Sequence, residues 1–540
     1  MTAAPRLCSE IILEDFGPIV EKVSNVLTNK GRLPLPVIQL FTKLPRKEVR
    51  ESLVILMQHN LVYYAEVQEG PNLVTYYEAD PIQILLRLRF PAILYYTREW
   101  FGAEGYTIVQ YLMRNGKMTL NEIKSELQNQ KGGTTKRRQP KDAHKNTIKV
   151  FTTMVLERYL IAVQHEDMVA KKDREMEQER KDLEKVSAMP TAAELKSLKQ
   201  MRDARAEAEY NNNAIVGMKR KLDGVNGGPN KKRNQTATEE EVEENIYFRI
   251  NYEKFNARFR SQEVIGYAEE RINRSAAAIL SSILKQDEAK LKSIREERSS
   301  SVTPSQISLN IPPELDAQLA EDIVLDQTKQ PSKQDLVNEY VELLMTDRAK
   351  FLRKDDAGRY YVNFTNIGTH MKRRILETVV QEKFGATGCR LLRILLEKGK
   401  LEEKHLAKIG LLHINTARTQ LNAMAKAGLV ELQEVPKAPD RAPSRNFYLW
   451  DCNLDKCYGA LLADLYKTLG NLRQRRREEM TAHRRLLDKS HRTEMEGEEF
   501  GIRLSATEEQ ELAELGRIME RLEASEMRVD KMVMVLRDFS

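Results

Sequence analysis

The densest run of cations in the chain is Lys136, Arg137, Arg138, Lys141, Lys145 and Lys149. It begins just past Gly132 and Gly133 and runs into a segment with helical apolar spacing, so a pliable cationic loop feeds the start of a helix. Such a set can follow a phosphate backbone through contacts that are salt-sensitive and indifferent to sequence. Few Asn or Gln side chains accompany these charges, so reading of base edges is not indicated. A smaller set, Arg46, Lys47 and Arg50, stands on the side of a helix opposite its Val49/Leu53 apolar face, where it could meet phosphate or simply solvate the helix. Both sets are read as DNA-contacting candidates.

Chemistry of other kinds finds no support. Gly132, Gly133, Thr134, Thr135 and Lys136 lack the first glycine and the GK[ST] ending of a phosphate loop. The histidines, His405 and His413 among them, form no HExxH and no paired Cys/His set. Of Cys8, Cys389, Cys452 and Cys457 only the last two are close, with no second pair, so structural zinc is not expected and a reducing compartment is. Asp355 and Asp356 sit beside Gly358 and read as a turn rather than a magnesium site. The expectation is a protein with no catalytic residue, no metal, no cofactor and no small-molecule substrate.

The elements that must carry the cations repeat along the chain. Residues 45–60 read as a helix with Val49, Leu53, Leu56 and Met57 on one face, preceded by helices over 16–29 and 36–42. Two Val/Tyr-rich strands over 61–67 and 73–78 follow, joined by Glu69, Gly70, Pro71 and Asn72. Three helices and a hairpin make a winged helix, whose third helix can enter a DNA groove. The register returns at Ile148, Thr152, Val155 and Leu156 before a strand over 159–163, and at Ala417, Leu421, Met424 and Ala425 before 429–432. A shorter copy places Val337, Val341, Leu344 and Met345 before strands over 351–353 and 360–364. In the second copy the partner strand, 246–252, comes only after a long charged insert.

The fold class is therefore mainly α with small β wings: four tandem winged-helix domains and a C-terminal α-helical coiled-coil hairpin. The expected boundaries are 1–82, 83–165 (second wing strand near 246–252), an insert over 166–244, 253–365 with a linker over 286–332, 366–452, and 453–540. In the insert, 168–208 is Lys/Glu/Arg-rich with helical character, whereas 210–244 has Asn and Gly runs and reads as disordered. Lys219, Arg220, Lys221 and then Lys231, Lys232, Arg233 resemble a bipartite nuclear import signal. In the last domain Tyr458, Leu462, Leu465, Leu469 and Leu472 keep heptad spacing. After a break near Gly497 and Gly501, Leu512, Met519 and Val533 fall at a, and Leu515, Leu522, Val529 and Leu536 at d. Glu526 is the one polar a position, and pairing within the chain or with a partner is open at this stage.

Charge differs among the copies. Asp335, Glu339, Glu342 and Asp347 line the third module's helix and would repel phosphate, so that copy reads as a protein-binding surface, and the fourth, with only Arg418 and Lys426, is open. At 540 residues, 41% hydrophobic and 31% charged, with mean hydropathy −0.55, the chain has the makings of several soluble, helix-leaning domains. Its net charge of +7 and pI of about 8.9 are mild, so attraction to phosphate must come from local patches. No run approaches the roughly 18 apolar residues of a membrane span, and residues 1–14 lack a secretory pattern, so the expected location is cytosol or nucleus.

Nearly the whole chain, the insert apart, resembles the third-largest subunit of RNA polymerase III, fungal members in particular, the winged-helix member of that enzyme's initiation heterotrimer and a relative of the TFIIE α subunit. The residues that carry this are Leu7, Cys8, Ile11, Ile12, Phe16 and Gly17, then 59–64, 80–90 with its LLRLRFP run, and 116–123. The resemblance implies a nuclear, non-catalytic subunit on the clamp of the largest polymerase subunit, assembled with two smaller heterotrimer subunits. It implies promoter DNA as ligand and a part in promoter opening at tRNA and 5S rRNA genes. A tandem winged-helix scaffold of another nuclear chromatin or transcription complex is the alternative, and an enzyme with an unrecognised site a third.

Overall fold

The structure, a computed structural model, describes residues 3–130, 141–184, 196–202, 204–205, 242–288, 290, 293–311, 333–436, 446–496 and 504–539. The chain divides into two compact units whose main bodies are Pro5–Phe255 and Asn256–Ser540.

In the first unit, helices Pro18–Lys30, Leu35–Thr42 and Arg46–Gln58 bury Val20, Val23 and Leu27, Ile38, and Val49, Leu53 and Leu56 against one another. Pro45 caps the third helix in an extended conformation rather than entering its first turn. An additional helix, Ala3–Phe16, packs Leu7, Cys8, Ile11 and Ile12 inward, and positive φ at Gly17 separates it from Pro18. The single helix expected over 16–29 therefore begins only at Pro18, after this break. Strands Val62–Glu69 and Asn72–Ala79 pair antiparallel from Val62↔Ala79 to Glu69↔Asn72, and Leu33–Pro34 adds a short third strand against Tyr77 and Tyr76.

The transition from third helix to wing recurs in one stereochemical form. Asn60 is left-handed (φ 56°), and the Leu61 amide donates back to the Leu56 carbonyl at 2.9 Å, satisfying an otherwise orphan carbonyl at the helix end. Arg158 (φ 65°) does the same for Tyr159 and Met154 at 2.9 Å, and Gly428 (φ 74°) for Leu429 and Met424 at 3.0 Å. Lys350 (φ 47°) precedes Phe351 in the third copy. Leu61, Tyr159, Phe351 and Leu429 are all buried, so each reversal drives an apolar plug into its core. Three of the four wings also share a strand order, with the second wing strand central.

The second winged helix uses Phe90–Asn115, broken at Gly102, then Leu120–Gln130 and Lys141–Leu156. Its wing does close across the insert: Leu160↔Ile250, Ile161↔Arg249 and Ala162↔Phe248 pair antiparallel, with Met118–Thr119 on the other edge of Tyr247–Ile250. The third helix is rotated from the expected register. Phe151, Met154 and Val155 are buried while Leu156 is exposed, and Phe151 meets Phe248 of the returning wing strand edge-on, with ring centroids 5.2 Å apart. The insert opens with a helix, Lys171–Leu183, held by ion pairs from Arg32 to Asp173 (2.7 Å) and Arg202 to Glu179 (2.8 Å).

In the second unit, helices Arg274–Asp287 and Lys333–Thr346 and the hairpin Leu352–Lys354/Tyr360–Val362 form the third winged helix. Part of the segment 286–332, expected to be a linker, is built into it. Val302 exchanges backbone hydrogen bonds with Tyr360, and Pro304–Asn310 is a helix whose Ile307 is buried. Phe364 begins the next helix, Phe364–Lys398, instead of prolonging the wing strand. That helix breaks at Gly385 and supplies Leu391, Leu392 and Leu395 to the fourth core, shared with Leu406, Leu421, Met424 and Trp450.

The C-terminal helices Leu454–Ala482 and Ala506–Asp538 pack on each other within the chain. Glu526, the polar a position, is buried between Arg473 (2.7 Å) and Arg476 (3.0 Å). Leu536 reaches the fourth winged-helix core, which anchors the hairpin base.

Candidate nucleic-acid interface

Arg46, Lys47 and Arg50 are exposed on the Arg46–Gln58 helix, because burying Val49, Leu53 and Leu56 turns the opposite side outward. With Glu51 the three cations line a groove of about 510 Å³. Lys47 lies 3.9 Å from Glu51, but both are largely exposed, so that pair neutralises little. Among the described residues Arg46 and Arg50 form no ion pair. Lys43, exposed and left-handed in the turn just before this helix, is a further cation not among the expected ones, and its spacing to Arg46 is the signal in the sequence.

In the second module Lys149 is exposed on Lys141–Leu156, opposite the buried Phe151 and Met154. Lys141 and Lys145 lie on the same helix at i, i+4 spacing to Lys149, and their side chains fall outside the described residues, as do Lys136, Arg137 and Arg138. Lys219, Arg220, Lys221, Lys231, Lys232 and Arg233 also lie outside them.

The third module separates its charges between helix and wing. Asp335, Glu339 and Glu342 are exposed on the helix, but Asp347 is engaged by Arg271 at 2.7 Å and accepts the Ala349 amide. Beyond it Arg348, Lys350, Arg353, Lys354 and Arg359 are all exposed around the wing. In the fourth module Arg418 is held by Glu403 at 2.9 Å, which leaves Lys426 as the exposed cation of that helix. His413 caps the same helix through the Asn415 amide, a structural role.

The first two modules meet tightly. His59 packs edge-on against Phe16, and burial, with Arg87 nearby, pushes its imidazole down to about 4. The Lys117 ammonium donates to the Met57 carbonyl at 3.0 Å, and burial lowers it to about 8. Gly116 has φ +81°, and a Cβ there would stand 2.5 Å from the Gln58 carbonyl oxygen. The Arg46–Gln58 helix of the first module is thus fixed at its end by the second. Among the described residues no group of three or more His, Cys, Asp or Glu side chains could hold a metal ion, and no helix is long and apolar enough to cross a membrane.

Comparison with known proteins gives these features a context. Residues 6–67 match the RNA polymerase III subunit RPC82 helix-turn-helix domain, 149–371 match RNA polymerase III subunit RPC82, and 376–452 match the POLR3C C-terminal winged-helix domain. The chain is 27% identical over 556 residues to the DNA-directed RNA polymerase III subunit RPC3 of Rattus norvegicus, covering 99% of this chain and 97% of that one. It is 26% identical over 568 residues to the Homo sapiens subunit (99% and 97%) and 25% over 648 residues to that of Neosartorya fischeri (99% and 96%). Vertebrate and fungal relatives thus stand at similar distances. With matches to the opening helix-turn-helix, the central region and the last winged helix in one order, and relatives aligned end to end, the chain belongs to the RPC82 (RPC3) family of RNA polymerase III subunits.

Proposed function

We propose that this chain is a nuclear, accessory subunit without an active site of its own, and that it helps open promoter DNA at tRNA and 5S rRNA genes. It sits on the clamp of the largest subunit together with two smaller subunits. Its first module offers DNA the cations Arg46, Lys47 and Arg50, and its second offers Lys136, Arg137, Arg138, Lys141, Lys145 and Lys149. The third module presents its cationic wing to phosphate, since its helix is acidic. The observation that carries the reading is the groove of Arg46, Lys47 and Arg50, whose cations are exposed and largely uncompensated on the helix that a winged helix directs toward DNA.

The test uses RNA polymerase III assembled with the chain carrying R46A, K47A and R50A, bound to unrelated promoters and random DNA between 50 and 200 mM salt. Each lost phosphate contact should flatten the salt dependence by about 0.7 to 0.9 log units, equally across sequences. Unchanged affinity with an unchanged slope would rule out this helix as a DNA contact. Recovery of the largest subunit and two smaller subunits in stoichiometric amount with the tagged chain tests the assembly.

A further inference from the structure

The CxxxxC pair that the function leaves unused is brought together by the fold. Cys452 ends the path out of strand Asn446–Asp451, and Cys457 lies in the first turn of Leu454–Ala482, whose cap Asn453 accepts from the Asp455 and Lys456 amides. The chain reverses between them and sets the two sulfurs 3.6 Å apart. A disulfide needs about 2.05 Å between sulfurs, so the two must approach by about 1.5 Å to bond. Cys457 is buried and donates to the Leu429 carbonyl at 2.9 Å, whereas Cys452 is only half-buried.

We propose that Cys452 and Cys457 form a dithiol site that hydrogen peroxide oxidises to an intrachain disulfide. The half-buried Cys452 sulfur attacks the peroxide, its O–O bond breaks, and Cys452 becomes a sulfenic acid while one water forms. The Cys457 sulfur then attacks the Cys452 sulfur, the S–O bond breaks, and the second water leaves with the Cys457 proton. Two thiols lose two electrons and the peroxide gains them. The Cys452 S–H holds the Cys457 thiol below its usual range, whereas the same contact and burial push Cys452 up, so exposure and not acidity makes Cys452 the sulfur that meets peroxide. Closure withdraws the donor from Leu429, the residue that plugs the fourth core, and ties the base of the helical hairpin to the wing.

Lys456 lies between the two cysteines, so trypsin leaves 446–456 and 457–467 joined only by this bond. The reduced full-length chain, treated folded with one equivalent of hydrogen peroxide, alkylated and digested without reductant, should yield that linked pair as its main oxidised product. Dithiothreitol should remove it, and C452S or C457S should lower the yield at least tenfold. The idea fails if Cys8 or Cys389 is oxidised first, or if Cys452 advances to sulfinic acid without the linked pair. It fails equally if the urea-unfolded chain forms the bond as fast, since the fold would then contribute nothing.

Discussion

The buried cluster in the C-terminal hairpin allows a quantitative test of how the two long helices are held in register. The Glu526 carboxylate receives Arg473 at 2.7 Å and Arg476 at 3.0 Å, with side-chain exposures of 8%, 8% and 12%. Glu526→Gln keeps the volume but removes the charge and turns an amide donor toward one of two guanidinium groups. Stranding buried charges in this way costs about 3 to 5 kcal/mol. At about 1.4 kcal/mol per tenfold, amide exchange across 515–536 should accelerate by about two to three and a half orders of magnitude in the full chain. Lys489 and Glu508 supply the internal control: they are 2.7 Å apart but about one-third exposed, so Lys489→Ala should cost no more than about 1 kcal/mol. Replacing Arg473, Arg476 and Glu526 together with Met, Met and Leu should restore most of the protection, because a packed apolar set carries no desolvation cost. Exchange in Glu526→Gln within tenfold of the unsubstituted chain would refute the reasoning and show that water already solvates the cluster.

Other perturbations follow from single positions. Gly116→Ala should destabilise the first unit by more than about 2 kcal/mol, read as a lower denaturation midpoint, because φ +81° and the Gln58 carbonyl 2.5 Å from the new Cβ oppose it together. Arg158→Gly should be neutral or stabilise by up to about 1 kcal/mol, relief of left-handed strain at φ 65° outweighing the added chain entropy, whereas Arg158→Val should destabilise. The His59 imidazole is lowered from 6.5 to about 4 in the folded chain, so the unfolded chain binds the proton more readily. Its contribution, roughly 3 kcal/mol, is complete above pH 6.5 and is lost as pH falls from there toward 4. The melting temperature should therefore drop less between pH 7 and pH 5 in His59→Gln, and an equal drop would assign the acid sensitivity elsewhere.

Much of this architecture was legible because its strongest signals are local. The switch from helical to alternating spacing marks each helix-to-wing step; of the heptad positions over 512–536, Leu515, Val533 and Leu536 are buried, whereas Leu512, Met519, Leu522 and Val529 are only half-buried. The cations at 46, 47 and 50 were readable as exposed because an apolar face of Val49, Leu53 and Leu56 leaves them only one side to occupy. Only the tertiary structure decided the rest. Strands such as Leu33–Pro34 and Met118–Thr119 are two residues long, too short to show a period, and exist because a wing strand offers them partners. The Lys141–Leu156 helix carries apolar residues on more than one side, so its inward face was fixed by Phe248, nearly a hundred positions away. Charge was similarly ambiguous until the chain folded. Asp347 looked like part of an acidic helix until Arg271 paired with it, and Glu526 looked like a flaw in a heptad until Arg473 and Arg476 arrived from the other helix. Local spacing sets which way a side chain points, but its electrostatic meaning depends on what the fold brings within a few ångströms.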